Sequence, residues 1–78
     1  MKLLTFGITR DIIGETDKNM TLPPDTTVGE LKKILSVSYP ELIKLNALAI
    51  AVNEVYATDD VSIDTNDVVA LIPPVSGG

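Results

Sequence analysis

The chain has 78 residues, with eleven acidic and six basic side chains for a net charge of −5, and no cysteine, histidine or tryptophan. At 45% apolar it is too hydrophobic for a disordered chain, and its length allows a single domain. Zero Cys and zero His exclude a disulfide framework, a thiolate zinc site, a cysteine nucleophile and the commonest general base.

Lys2 to Ile8, led by Leu3, Leu4 and Phe6, predicts a first strand. Arg10 to Gly14 predicts a tight turn or a single helical turn, closed by a glycine able to take a positive φ. Asn19 to Leu22 predicts a short second strand ending at Pro23-Pro24 and pairing with the first through a longer connection. The clearest helix starts at Thr27, where Thr27 and Glu30 form the two halves of a capping box. Val28, Leu31, Ile34 and Leu35 then fall on one stripe, with Lys32 and Lys33 on the wet face. Pro40 disfavours helical geometry at Tyr39, and Glu41 to Leu45 can add one more turn. Leu48 to Val52 predicts a strand covered on both faces, with Asn53-Glu54 turning into a short segment over Val55 to Ala57. Thr58 to Asp67 is polar and predicts a loop with an isolated turn, while Val68 to Ile72 predicts a buried central strand. One helix across one mixed sheet makes this an α+β domain.

The acidic balance argues against nucleic acid, which calls for clustered Lys and Arg, and fits a soluble surface or a basic partner. Apolar runs such as Leu48 to Val52 fall far short of the ~20 residues of a spanning helix, and Thr5, Thr9, Arg10 and Asp11 break any signal-like start. No membrane association and a cytoplasmic location are expected. Asp59, Asp60, Asp64 and Asp67 lack the spacing, the glycine and the final Glu of a calcium loop, so no metal site is expected.

The sharpest signal is the tail, Pro73-Pro74-Val75-Ser76-Gly77-Gly78. Two prolines should end the last strand and hold the following residues extended, and two glycines can thread a narrow cleft. The expected division is a domain over 1–72 and an extended, flexible tail over 73–78. A terminal carboxylate is the one group here that becomes an electrophile without help from a side chain, through an acyl-adenylate.

With that tail, the chain resembles a known family, the small sulfur-carrier subunits of molybdopterin synthase, which have the ubiquitin-like β-grasp fold. The resemblance is carried by Ile72 to Gly78, by Phe6-Gly7-Ile8-Thr9-Arg10-Asp11 followed by Gly14, by Thr27 to Leu31, by Tyr39 to Leu42 and by Ala51-Val52-Asn53. Where the family usually has Gly-Asp before the last strand this chain has Asn66-Asp67, and the same left-handed turn is expected at Asn66.

The resemblance implies a mixed sheet of four to five strands on one main helix, and chemistry centred on Gly78. An adenylyltransferase of the ubiquitin-activating kind would adenylate Gly78 with ATP and Mg²⁺, with no cofactor held by the chain itself. Sulfur would then displace AMP to leave a thiocarboxylate. The tail residues Pro73, Pro74, Val75, Ser76 and Gly77 would thread Gly78 into the large synthase subunit, which would transfer the sulfur to cyclic pyranopterin monophosphate. The family's assembly is a heterotetramer, and Phe6, Ile72 and Arg10 match its positions where the large subunit docks. From the residues alone, Phe6 and Ile72 also suit a core, and Arg10 a local ion pair with Asp11 or Asp67. A carrier of thiamine biosynthesis, a protein modifier and a plain binding module are the alternatives.

Overall fold

Strand β1 (Lys2–Thr5) alternates in burial, turning Leu3 and Thr5 inward. The computed structural model describes residues 1–45 and 48–73. The apolar pattern continues through Phe6 and Ile8, yet the strand stops, because Gly7 takes φ 53 and ψ −128, a mirror-image extended conformation that glycine alone holds without cost. Helix α1 (Ile8–Ile13) follows directly and closes at Gly14, which is left-handed at φ 87. The expected strand therefore loses Phe6 to Ile8, and the expected turn becomes a six-residue helix.

The second strand, β2 (Asp17–Asn19), lies earlier than Asn19 to Leu22. It pairs antiparallel with β1, Leu4 opposite Asp17 and Lys2 opposite Asn19. Met20 and Leu22 pack against the edge of the core.

The main helix, α2 (Val28–Ser38), has the expected capping box. Thr27 Oγ1 accepts from the Glu30 N–H at 3.2 Å, and the Glu30 carboxylate accepts from the Thr27 N–H at 3.1 Å. Its inward side chains are Val28, Leu31 and Leu35, and Tyr39 ends it ahead of a 3₁₀ turn over Pro40–Lys44 that buries Leu42. Thr27→Ala should lower unfolding stability by about 1 kcal/mol, the usual worth of such a cap, read from the urea midpoint. An unchanged midpoint would show that the box contributes nothing.

Strands β3 (Ala49–Val52) and β4 (Val55–Tyr56) form a hairpin whose turn residues, Asn53 and Glu54, both have positive φ. That is the twist-matched two-residue turn. Strand β5 (Val68–Ile72) sits in the middle of a sheet ordered β2-β1-β5-β3-β4, parallel to β1 and antiparallel to β3. Leu3, Leu31, Leu35, Val28, Val69 and Leu71 are the heart of a core pressed between α2 and one sheet face.

Helix α2 covers one face of the sheet. Ile50 points to the core, and Ala51 on the opposite face is buried as well, at 7% exposure, so the centre of β3 is covered on both sides as expected, while that second face opens toward Phe6 and Tyr56. The turn before β5 differs from expectation. Asn66 has no positive φ, and Asp67 does the organising instead. Its carboxylate accepts from the Asp64 N–H at 2.8 Å and from Asn53 Nδ2 at 2.9 Å, and these bonds hold it below the usual carboxylate range.

Candidate functional site

The strand registers decide which side chains share the open face. Leu4 opposes Ala70, Ala70 opposes Ala51, and Ala51 opposes Tyr56, and facing residues project to the same side. Two alanines therefore lie in the middle of the face while Phe6, Tyr56 and Ile72 stand around them. The result is a shallow apolar depression of about 550 Å³, with Asn53 and Glu54 at one end. Phe6 is 48% exposed and Tyr56 72% exposed, so large apolar surface is left in water. Such surface, gathered in one place, marks interaction sites.

Of the residues singled out in the sequence, Phe6 and Ile72 come together on this face. Phe6 is an exposed residue and not a core one, and Ile72 is half-buried. Pro73 leaves β5 directly beside them. A methyl group placed on Gly7 would lie 3.4 Å from Pro73 Cγ, so the start of the tail passes close over the Phe6-Gly7 turn. Pro74, Val75, Ser76, Gly77 and Gly78 lie outside the described residues.

Arg10 is exposed on α1 and does not line the depression. The ion pairs among the described residues are Lys2–Asp17, Lys18–Glu15 and Lys32–Asp59, so neither pair expected of Arg10 forms there. The reason is geometric. Asp67 precedes β5 and bonds to the Lys2 amide at the start of β1, whereas Arg10 follows the far end of that parallel strand. Asp11 is its immediate helical neighbour, and adjacent residues do not face one another.

Several parts of the site went unsignalled. Ala51 and Ala70 carry no pattern that marks them as the floor of a depression, and Tyr56 was legible only as an aromatic in a short segment. Two buried threonines flank Phe6. Thr5 donates its hydroxyl to the Glu15 carbonyl, and Thr9, 0% exposed, bonds the Phe6 main chain. No three acidic side chains converge to hold a metal ion among the described residues.

A five-stranded mixed sheet on one main helix, with the chain leaving its central strand beside an open apolar face, defines a ubiquitin-like β-grasp domain. The chain belongs to the ThiS family, whose model matches residues 3–78. It is 32% identical over 79 residues to a molybdopterin synthase sulfur carrier subunit of Arabidopsis thaliana, covering 100% of this chain and 82% of that one. Among solved structures, a putative molybdopterin converting factor subunit 1 from Pyrococcus furiosus superimposes with a TM-score of 0.86 at 24% identity, over 95% of each chain, a likeness of fold. A complex of subunits 1 and 2 of the molybdopterin-converting factor from Helicobacter pylori contains a chain matching at TM-score 0.67 and 27% identity, over 99% of this chain and 96% of that one.

Proposed function

We propose that this chain is the sulfur-carrier small subunit of a molybdopterin synthase, working through its Gly78 carboxylate. The observation that carries the reading is the full-length relationship to sulfur carrier subunits of that enzyme. The geometry supports it, since the strand leading to Gly78 emerges beside an apolar face suited to a protein partner.

In this reading the Gly78 carboxylate attacks the α-phosphate of ATP in an adenylyltransferase of the ubiquitin-activating kind, and pyrophosphate leaves. Sulfide-level sulfur, as HS⁻, then adds at the Gly78 carbonyl, AMP departs with the electrons of the broken C–O bond, and a thiocarboxylate remains. The large subunit docks on the face around Phe6 and Ile72, the tail enters its active site, the thiocarboxylate sulfur bonds to cyclic pyranopterin monophosphate, and water cleaves the resulting thioester so that Gly78 leaves as a carboxylate. Two transfers supply the two sulfurs of a dithiolene. The chain contributes no catalytic side chain, and the groups that move protons belong to the partner. Such a carrier works in the cytoplasm. Among the described residues no helix is long and apolar enough to cross a membrane.

Phe6→Ala tests the docking surface. The ring is half in water and lies on the face opposite the core, so thermal stability should change little. Affinity for the large subunit should fall by about 2 kcal/mol, the threshold of an interface hot spot. A folded variant that binds with unchanged affinity would take Phe6 out of the interface. A thiamine-pathway carrier is separated by its acceptor, because the thiocarboxylate would then feed a thiazole and not a pterin. A protein modifier would instead yield isopeptide conjugates on partner lysines.

A further inference from the structure

Thr9 sits in the first turn of α1, and its hydroxyl serves the main chain on both sides of the Phe6 Cα. It accepts from the Phe6 N–H at 2.9 Å and donates to the Phe6 carbonyl at 2.6 Å. The Leu71 carbonyl is 3.5 Å away, and a hydroxyl has one proton, so the nearer Phe6 carbonyl takes it. That carbonyl also accepts from the Thr9 N–H at 3.0 Å. Both main-chain polar groups of Phe6, its N–H and its carbonyl, are thus held by a single residue. Were β1 to run on past Thr5, the sheet ladder would bind these two groups. The hydroxyl takes that place and lets the chain turn at Gly7.

Thr9 is wholly buried, while the Phe6 ring it anchors is 48% exposed. The hydroxyl has no access to a partner and acts only through the backbone it grips. We propose that Thr9 is a positioning residue for large-subunit docking, whose hydroxyl holds the Phe6 main chain so that the ring stands at a fixed angle over the open face. A β-branched side chain suits this role because its χ1 is stiff. A ring already held in its docking orientation loses less conformational freedom on binding, which strengthens association without any new contact. The inference rests on the reading of this chain as the partner of a synthase large subunit.

The test is a set of dissociation constants for the large subunit, measured by calorimetry on chains shown to be folded by circular dichroism. The set is the unaltered chain, Thr9→Val, Thr9→Ser, Phe6→Ala and the double variant Phe6→Ala/Thr9→Val. Thr9→Val should weaken binding about tenfold, the scale on which freeing one side chain acts. Thr9→Ser, which keeps the hydroxyl, should stay within about twofold of the unaltered chain on the same scale. In the Phe6→Ala background Thr9→Val should cost nothing more, since the ring it positions is gone. A tenfold loss that persists without the ring, or a folded Thr9→Val with unaltered affinity, overturns the proposal. Should Thr9→Val not fold, Thr9→Ser decides: affinity near that of the unaltered chain sustains the role of the hydroxyl, and a tenfold loss assigns the effect to the methyl group and overturns it. If the unaltered chain itself does not bind, the functional reading fails and this inference with it.

Discussion

Deleting Gly77 and Gly78, or adding one residue after Gly78, is expected to abolish sulfur transfer while hardly changing thermal stability. On the proposed mechanism the reacting carbonyl is that of the last residue. Deletion would leave Ser76 as the end, shorter by two residues and bearing a side chain, and extension would turn the Gly78 carboxylate into an amide that cannot be adenylated. Among the described residues every buried core member lies between Leu3 and Leu71, and glycines add no side chain to a core. The melting temperature should therefore move by less than the roughly 4–8 °C that 1 kcal/mol produces in a domain of this size. Transfer assays and a thermal scan on the same preparations check both halves. Retained transfer would dismiss Gly78 as the carrier atom's site, and a large fall in melting temperature would make the tail part of the fold.

Leu71→Ala should have the opposite profile, a large loss of stability reaching function only through unfolding. Leu71 is wholly buried on the central strand, with Thr5 of β1 on one side and Ile50 of β3 on the other. Truncating a buried leucine removes its transfer energy and leaves a cavity, about 2–5 kcal/mol in total. Against the roughly 5–15 kcal/mol that holds a whole small domain together, this is a large share. Denaturant unfolding reads it directly. A loss below about 1 kcal/mol, the typical value for an unremarkable substitution, would show that the inner face of β5 does not organise the core. Phe6, lining the depression on the other side of the same sheet, gives the contrast: large in surface, small in stability, and proposed to matter to a partner.

The parts of the fold legible in the sequence were those set by local chemistry. Thr27 and Glu30 announce the start of α2 and Pro40 its end, and Val68 to Ile72 is apolar and β-branched enough to declare itself the central strand. The Asn53-Glu54 turn was equally plain. The boundary between β1 and α1 was not. Leu4, Phe6 and Ile8 keep a period of two straight through it, and what ends the strand is the Gly7 backbone and a hydroxyl four residues beyond Thr5, buried by tertiary packing. Asp17–Asn19 is a strand only because β1 lies beside it, and its polar side chains give no signal of their own.

The candidate site divides in the same way. The Gly-Gly ending and the family resemblance were visible in the residues. That Phe6 and Ile72 share one face, with Ala51 and Ala70 as its floor, needed the long-range register of β1, β5 and β3. The expected pairing of Arg10 with Asp67 failed for the same reason, because parallel pairing sends the two to opposite ends of the sheet.

The central claim is that sulfur is carried at Gly78. Its most direct test is top-down mass spectrometry of the chain after incubation with ATP, Mg²⁺, the activating enzyme and a sulfur donor. Exchange of one oxygen for sulfur adds nearly the same mass as oxidation of Met1 or Met20, so fragment ions must locate the change. The account predicts sulfur at Gly78 and both methionines unaltered. An unmodified Gly78, with the same enzyme active on another carrier, would contradict it.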